Sequence, residues 1–214
     1  MVQVRKRRKA PTIFPQHPRE YCLSLIQKSK MMENYDLEKL NSKDPKVKYG
    51  FAKELLKTGA ENPKQLYGDF GYWATLMSSD NNVLKWTAID IIGYLSAVDD
   101  ENRIGGILPE LLKFLHGGAL ISCNHSIFSL GLIALNKPEF KQMIFKEFIA
   151  ITGDRFDTDE CKEIAMGKVM EAFKPFAGDI GNDKDIIGFI GSAARSERAS
   201  TRKKAERLLK ILIL

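Results

Sequence analysis

The chain has 214 residues, 44% of them hydrophobic and 28% charged, with a formal net charge of +6. This is enough length and apolar content for a substantial core, and it excludes an intrinsically disordered chain. The charge is unevenly placed: Arg5, Lys6, Arg7, Arg8 and Lys9 carry +5, the stretch from Arg195 to Lys210 another +5, and Ala10 to Ala194 is left at −4.

No run approaches the roughly 18 apolar residues of a membrane helix, and the first twenty residues lack the apolar stretch of a secretory signal. Cys22, Cys123 and Cys161 are odd in number and form no CxxC pair, which fits a reducing compartment. The expectation is a cytoplasmic protein. Residues 1–18 read as a basic tail, because Pro11, Pro15 and Pro18 prevent a regular helix there. The folded domain is then 19–214, opening with a helix from about Arg19 to Met32.

Beyond that point one pattern recurs. Small or core-facing residues fall on Phe51, Ala88, Ser126, Ala165 and Ala205, at spacings of 37, 38, 39 and 40 residues. Four positions later stand Leu55, Ile92, Leu130, Val169 and Leu209, and four earlier Val47, Leu84, Ser122, Cys161 and Thr201. Spacings of four put each set on one helical face, so the chain carries five equivalent helices. A second family precedes four of them. Phe70, Leu108, Phe145 and Ile186 are followed at i+3 by Trp73, Leu111, Phe148 and Phe189. Turn signals separate the paired helices at Ser79 to Asn82, Gly117-Gly118, Thr158-Asp159 and Ser196 to Ser200, and Asp44-Pro45 suits a capped helix start. Breaks between repeats fall at Thr58-Gly59, Asp99-Asp100, Asn136 to Pro138 and Phe176 to Asp183. No strand-like alternation is sustained.

The second helices also share a basic position, filled by Lys48, Lys85, Lys162 and Arg202. The segments Val47-Lys48 to Leu55, Leu84-Lys85 to Gly93, Lys162 to Val169 and Arg202 to Leu209 resemble the second helix of HEAT repeats. The wording from Trp86 to Asp99 and from Asp159 to Val169 is similar to stand-alone prokaryotic HEAT proteins. The resemblance covers about Leu37 to the C-terminus. It implies an all-α fold, a right-handed α-α superhelix of about five helix pairs, in which stacking neighbours bury each other's apolar faces. It also implies an internal ladder between turn aspartates and the basic position, for which Asp44 and Lys48, Asp80 and Lys85, and Asp159 and Lys162 are placed. A row of cations for phosphates is the other use of that position.

Counting about 100° per residue from each small position, the opposite face carries Tyr49, Lys53 and Lys57 on the first of these helices and Trp86, Asp90 and Tyr94 on the second. Asn124, Phe128 and Leu132 follow, then Glu163, Gly167 and Glu171, then Lys203, Arg207 and Ile211. In the HEAT resemblance this face lines the concave surface. Aromatics beside a carboxylate there fit a groove that holds a protein partner, centred on Trp86, Asp90, Tyr94 and Phe128 with Tyr49 and Lys53 at its edge. The same rings could instead pack against one another between helices.

Two other functions compete. The cations at the chain's ends, Arg5, Lys6, Arg7, Arg8, Lys9, Arg202, Lys203 and Arg207, could hold nucleic acid, or be a solvated tail and a polar terminal repeat. The pair Trp86-x-x-x-Asp90 resembles HEAT-type DNA glycosylases that remove alkylated bases. In them, by resemblance, the aspartate would stabilise the cation developing at the sugar. No metal or cofactor is expected: His116, Cys123 and His125 lack the helical spacing and a completing carboxylate, and His116 reads as the charged end of its helix. Gly105-Gly106 and Gly117-Gly118 belong to no phosphate loop.

Overall fold

In the computed structural model, which describes residues 36–212, helix starts are set by short polar side chains. Asp44 accepts from the Lys46 N–H at 2.8 Å, Asn81 from Val83 at 3.0 Å and Thr158 from Cys161 at 3.1 Å. Each satisfies a backbone donor that the helix itself leaves open. After a 3-10 turn at Leu37–Asn41 the helices are α1 (Pro45–Glu61), α2 (Lys64–Tyr67), α3 (Phe70–Leu76), α4 (Asn82–Leu95), α5 (Ile104–His116) and α6 (Leu120–Asn136). They continue as α7 (Pro138–Ala150), α8 (Asp159–Phe173), α9 (Ala177–Ile180), α10 (Lys184–Ala193) and α11 (Ala199–Leu212). Among the described residues there is no strand, and no helix long and apolar enough to cross a membrane. The predicted helix at Arg19 to Met32 and the basic cluster Arg5 to Lys9 lie outside the described residues.

The helices pair as the register requires. α1, α4, α6, α8 and α11 are the five predicted second helices, and each packs on the next. Phe51, Ala88, Ser126, Ala165 and Ala205 are all buried, as are Leu55, Ile92, Leu130 and Val169. α3, α5 and α10 lie against α4, α6 and α11. α7 meets α8 through large rings: Phe173 stands edge-on to Phe145 and Phe148 at 5.1 and 5.8 Å, and Phe176 and Phe189 extend the cluster. Such pairs add about 0.5–1.5 kcal/mol each beyond the area they bury. Close approach of the second helices depends on missing side chains. A Cβ on Gly93 would lie 2.8 Å from the Ser129 Cα, and one on Gly167 2.7 Å from the Thr201 Oγ1.

Three expectations need correcting. Thr58-Gly59 is no break, since α1 runs on to Glu61; Gly59 is there because the Tyr94 ring lies against its Cα. Val47 does not join the core at its helix face and is 40% exposed. The ladder of turn aspartates with Lys48, Lys85 and Lys162 does not form. Asp44 spends its carboxylate on the cap of its own helix, and Lys162 donates to the Thr152 carbonyl at 3.1 Å.

Polar contacts between repeats run through other residues. Asp99, buried in the turn before α5, accepts from the Tyr67 hydroxyl (2.8 Å), the Arg103 N–H (2.9 Å) and the Ile104 N–H (3.0 Å). Lys137 donates to the Asp99 carbonyl and stands 3.7 Å from its carboxylate. Burial works to raise the Asp99 carboxyl, but the Ile104 N–H, the Tyr67 hydroxyl, the Arg103 N–H and Lys137 outweigh it and hold the group below its usual range. The same burial, with the hydrogen bond to Asp99, pushes the Tyr67 phenol up to about 12. His116 stands in the last turn of α5, and its ring also bridges Asp154 (2.7 Å) and Glu147 (3.1 Å) of the following repeat.

Candidate functional site

The face of α4 away from its first helix presents Trp86, Asp90 and Tyr94, one above another at intervals of four residues. Each is completed by α6. The Trp86 Nε1–H donates to the Ser122 Oγ at 3.2 Å, and its ring lies flat on His125, with centroids 5.7 Å apart and planes 7° from parallel. His125 Nδ1 is 2.8 Å from the Asp90 Oδ1. Tyr94 meets Phe128 edge-on at 5.5 Å. Asp90 is only 9% exposed, and that burial raises its carboxyl above the usual range, opposed by the hydrogen bond and charge of His125 and by Lys168. Burial, and secondarily the Asp90 charge, raises the Tyr94 phenol as well.

Three cavities follow one another along this face. The first, about 250 Å³, lies between α1 and α4 and is lined by Tyr49, Lys53, Leu56, Trp86 and Asp90, with His125. The second, about 260 Å³, is lined by Asp90, Tyr94, Asn124, His125, Phe128 and Lys168. The third, about 280 Å³, lies between α6 and α8 over Leu132, Leu135, Ala172 and Pro175, and shares Phe128 and Lys168 with the second. Each falls short of the roughly 300–1,000 Å³ of a small-molecule pocket. Together they make a row of small hollows along α1, α4, α6 and α8.

The predicted partner residues Tyr49, Lys53, Trp86, Asp90, Tyr94 and Phe128 therefore all line this row. Their exposure is graded. Tyr49 is 59% and Phe128 36% exposed, whereas Trp86 and Tyr94 are half-buried by the contacts just described. The rings pack between helices and also border the cavities.

His125 and Lys168 are central here and were not legible as site residues. His125 pairs with nothing on its own helix. Its acid partner sits 35 residues back, on the preceding second helix. That offset, close to one repeat, is the signal that marks the pair. Among the described residues no hydroxyl or thiol hydrogen-bonds the other ring nitrogen of His125. No group of His, Cys, Asp and Glu among the described residues is arranged to hold a metal.

The predicted nucleic-acid residues divide. Arg202 is engaged, its Nη1 donating to the Ser196 carbonyl at 2.7 Å. Lys203 and Arg207 are exposed. Arg5 to Lys9 lie outside the described residues. Carboxylates of the same face are occupied. Glu163 accepts from the Glu197 and Arg198 N–H groups, both at 3.0 Å. Glu171 pairs with Lys168 (2.9 Å) and Lys204 (2.6 Å); burial opposes its ionisation, and the two lysines still hold it below the usual range. Comparison with family models and with curated proteins found no match for this chain.

Proposed function

We propose that the chain is a right-handed α-α superhelix of HEAT type, with about five helix pairs, that works in the cytoplasm as a non-enzymatic scaffold. It holds a segment of a partner protein along the face formed by α1, α4, α6 and α8. The observation that carries this reading is the continuous row of three small cavities, with Phe128 (36% exposed) and Leu135 (53% exposed) standing open at its centre and end. Side-chain-sized hollows at a repeat's spacing suit successive anchors of one polypeptide, and central rings in such grooves carry most of the binding energy.

The test is a selection of peptides from a random library on the immobilised full chain. Both residues are exposed, so Phe128→Ser and Leu135→Ser leave the fold intact, which circular dichroism checks. Each should weaken the selected peptides by at least about tenfold. Peptides whose affinity neither substitution changes would refute the reading.

One observation favours a second reading, removal of an alkylated base. Asp90 borders two cavities beside the parallel rings of Trp86 and His125. Flat rings to pack on an alkylated base, and a carboxylate to stabilise the cation that develops at the sugar as the base leaves, are what this reaction needs. Incubation with alkylated duplex DNA decides it: release of free alkylpurine by the wild type, lost in Asp90→Asn, supports it, and no release removes it.

A further inference from the structure

The charge available along the groove differs from the charge its sequence carries. Three of the four carboxylates that the helical register places on this face are held, Asp90 by His125, Glu163 by two backbone N–H groups and Glu171 by two lysines, while Glu160 stands a loose 3.7 Å from Arg198 with its side chain 73% exposed. The cations at the two ends are left over. On α1, Lys53 has no acid partner among the described residues, and Lys57 reaches only Glu61, at 3.9 Å with both side chains mostly exposed, a pair of little energy. On α11, Lys203 and Arg207 are exposed and have no acid partner among the described residues. Between these ends Asp90 is held by His125 and Lys168 by Glu171, and the rest of the floor is largely apolar: Trp86 and Phe128 first, then Leu132, Leu135 and Pro175.

We infer that the partner segment is a polypeptide with an apolar centre and acidic residues at both ends, its ends held by Lys53 and Lys57 on α1 and by Lys203 and Arg207 on α11. This rests on the groove reading above and adds the chemistry of the occupant. Four steps between neighbouring helices, at about 9 Å each, separate the two cationic ends by about 36 Å, the length of a helix of about 24 residues. A single-stranded nucleic acid fits less well. It carries a phosphate at every nucleotide and wants cations along its whole path and rings beneath its bases. Here the central cation, Lys168, is paired with Glu171, the unpaired cations stand at the ends, and the third cavity is lined mainly by aliphatic side chains.

Four fluorescent probes test this with the full chain. Two are helical peptides of about 24 residues with the same stripe of Leu and Phe, one ending in Glu clusters and the other in Lys clusters. A third carries Glu clusters but Ser in place of the stripe, and the fourth is a single-stranded DNA of about 20 nucleotides. The Glu-ended peptide should bind at least about tenfold tighter than the Lys-ended one at about 50 mM salt, with the ratio shrinking as salt rises. Lys53→Glu with Arg207→Glu should reverse the preference. Lys64→Glu with Lys184→Glu, on α2 and α10, should leave it unchanged. The Ser peptide should bind at least about tenfold more weakly than its apolar counterpart.

Equal binding of the Glu- and Lys-ended peptides, both weakened by Phe128→Ser, would overturn the acidic-ended partner and leave the groove reading standing. Binding of neither, or binding that Phe128→Ser does not touch, would overturn both. DNA that binds tighter than every peptide, with the groove cations responsible, would assign the face to nucleic acid instead.

Discussion

Gly93→Ala is the sharpest test of how the second helices stack. Gly93 lies inside α4, where alanine ordinarily adds about 1 kcal/mol of helix stability. Here the new Cβ would meet Ser129 of α6 at 2.8 Å from its Cα, 3.0 Å from its Oγ and 3.2 Å from its Cβ. Comfortable contact needs about 3.5–4.0 Å, so α4 and α6 must part by a large fraction of an ångström. The obstructing atom is backbone and cannot rotate away, which places the cost near the upper end of overpacking, about 3 kcal/mol. The net expectation is a loss of about 2 kcal/mol, or about 4–8 °C in Tm for a chain of this size. Gly50, inside α1, supplies the control, because a Cβ there meets nothing within 4 Å and Gly50→Ala should stabilise by about 0.5–1 kcal/mol. Urea titrations followed by circular dichroism give both values. A Gly93→Ala protein as stable as the wild type would refute the close approach of α4 and α6. So would equal shifts for the two substitutions.

Asp99→Asn should cost about 2–4 kcal/mol at neutral pH, since it weakens charged hydrogen bonds and leaves the half-buried Lys137 without its counter-charge. Because the folded state holds the Asp99 carboxyl low, its contribution is complete above the unfolded value near 4 and is lost as pH falls through the lower folded value. The gap between wild type and variant in denaturant titrations should therefore close in acid and not at pH 6–8; a gap independent of pH would contradict the ionised cap. Cys123 is fully buried, and that burial, with Asp154 nearby, pushes its thiol up to about 12. Iodoacetamide at pH 8 should modify the half-buried Cys161 in the native protein and reach Cys123 only in denaturant. Peptide mass spectrometry reads the two sites separately, and equal rates would contradict the packing of α6.

The repeat itself was legible because it depends on one number per helix. A buried residue every 37 to 40 positions, small in four copies and the bulky Phe51 in the first, sets the phase of all five second helices, and the phase then names the opposite face. The row from Tyr49 to Phe128 followed from that arithmetic alone. What resisted was anything decided between helices. Gly59 looks like a stop signal, yet it is a landing for the Tyr94 ring, three helices away in chain order. The turn aspartates look like ladder partners, yet Asp44 is satisfied by its own helix start before any lysine can compete. His125 looks idle beside Cys123, because the carboxylate it meets lies one repeat earlier. The short helices α2 and α9 carry too few residues for a period to show.

The central claim, that the row of cavities receives a polypeptide, is tested most directly by a photo-crosslinking amino acid at Leu135, 53% exposed at the edge of the third cavity. The same group at Gly188, exposed on α10, is the control. Irradiation in the cells that make the protein should give a protein adduct from position 135, lost when Phe128→Ser is added, and none from position 188. No adduct from 135, the same adducts from both positions, or an adduct to nucleic acid would contradict the account.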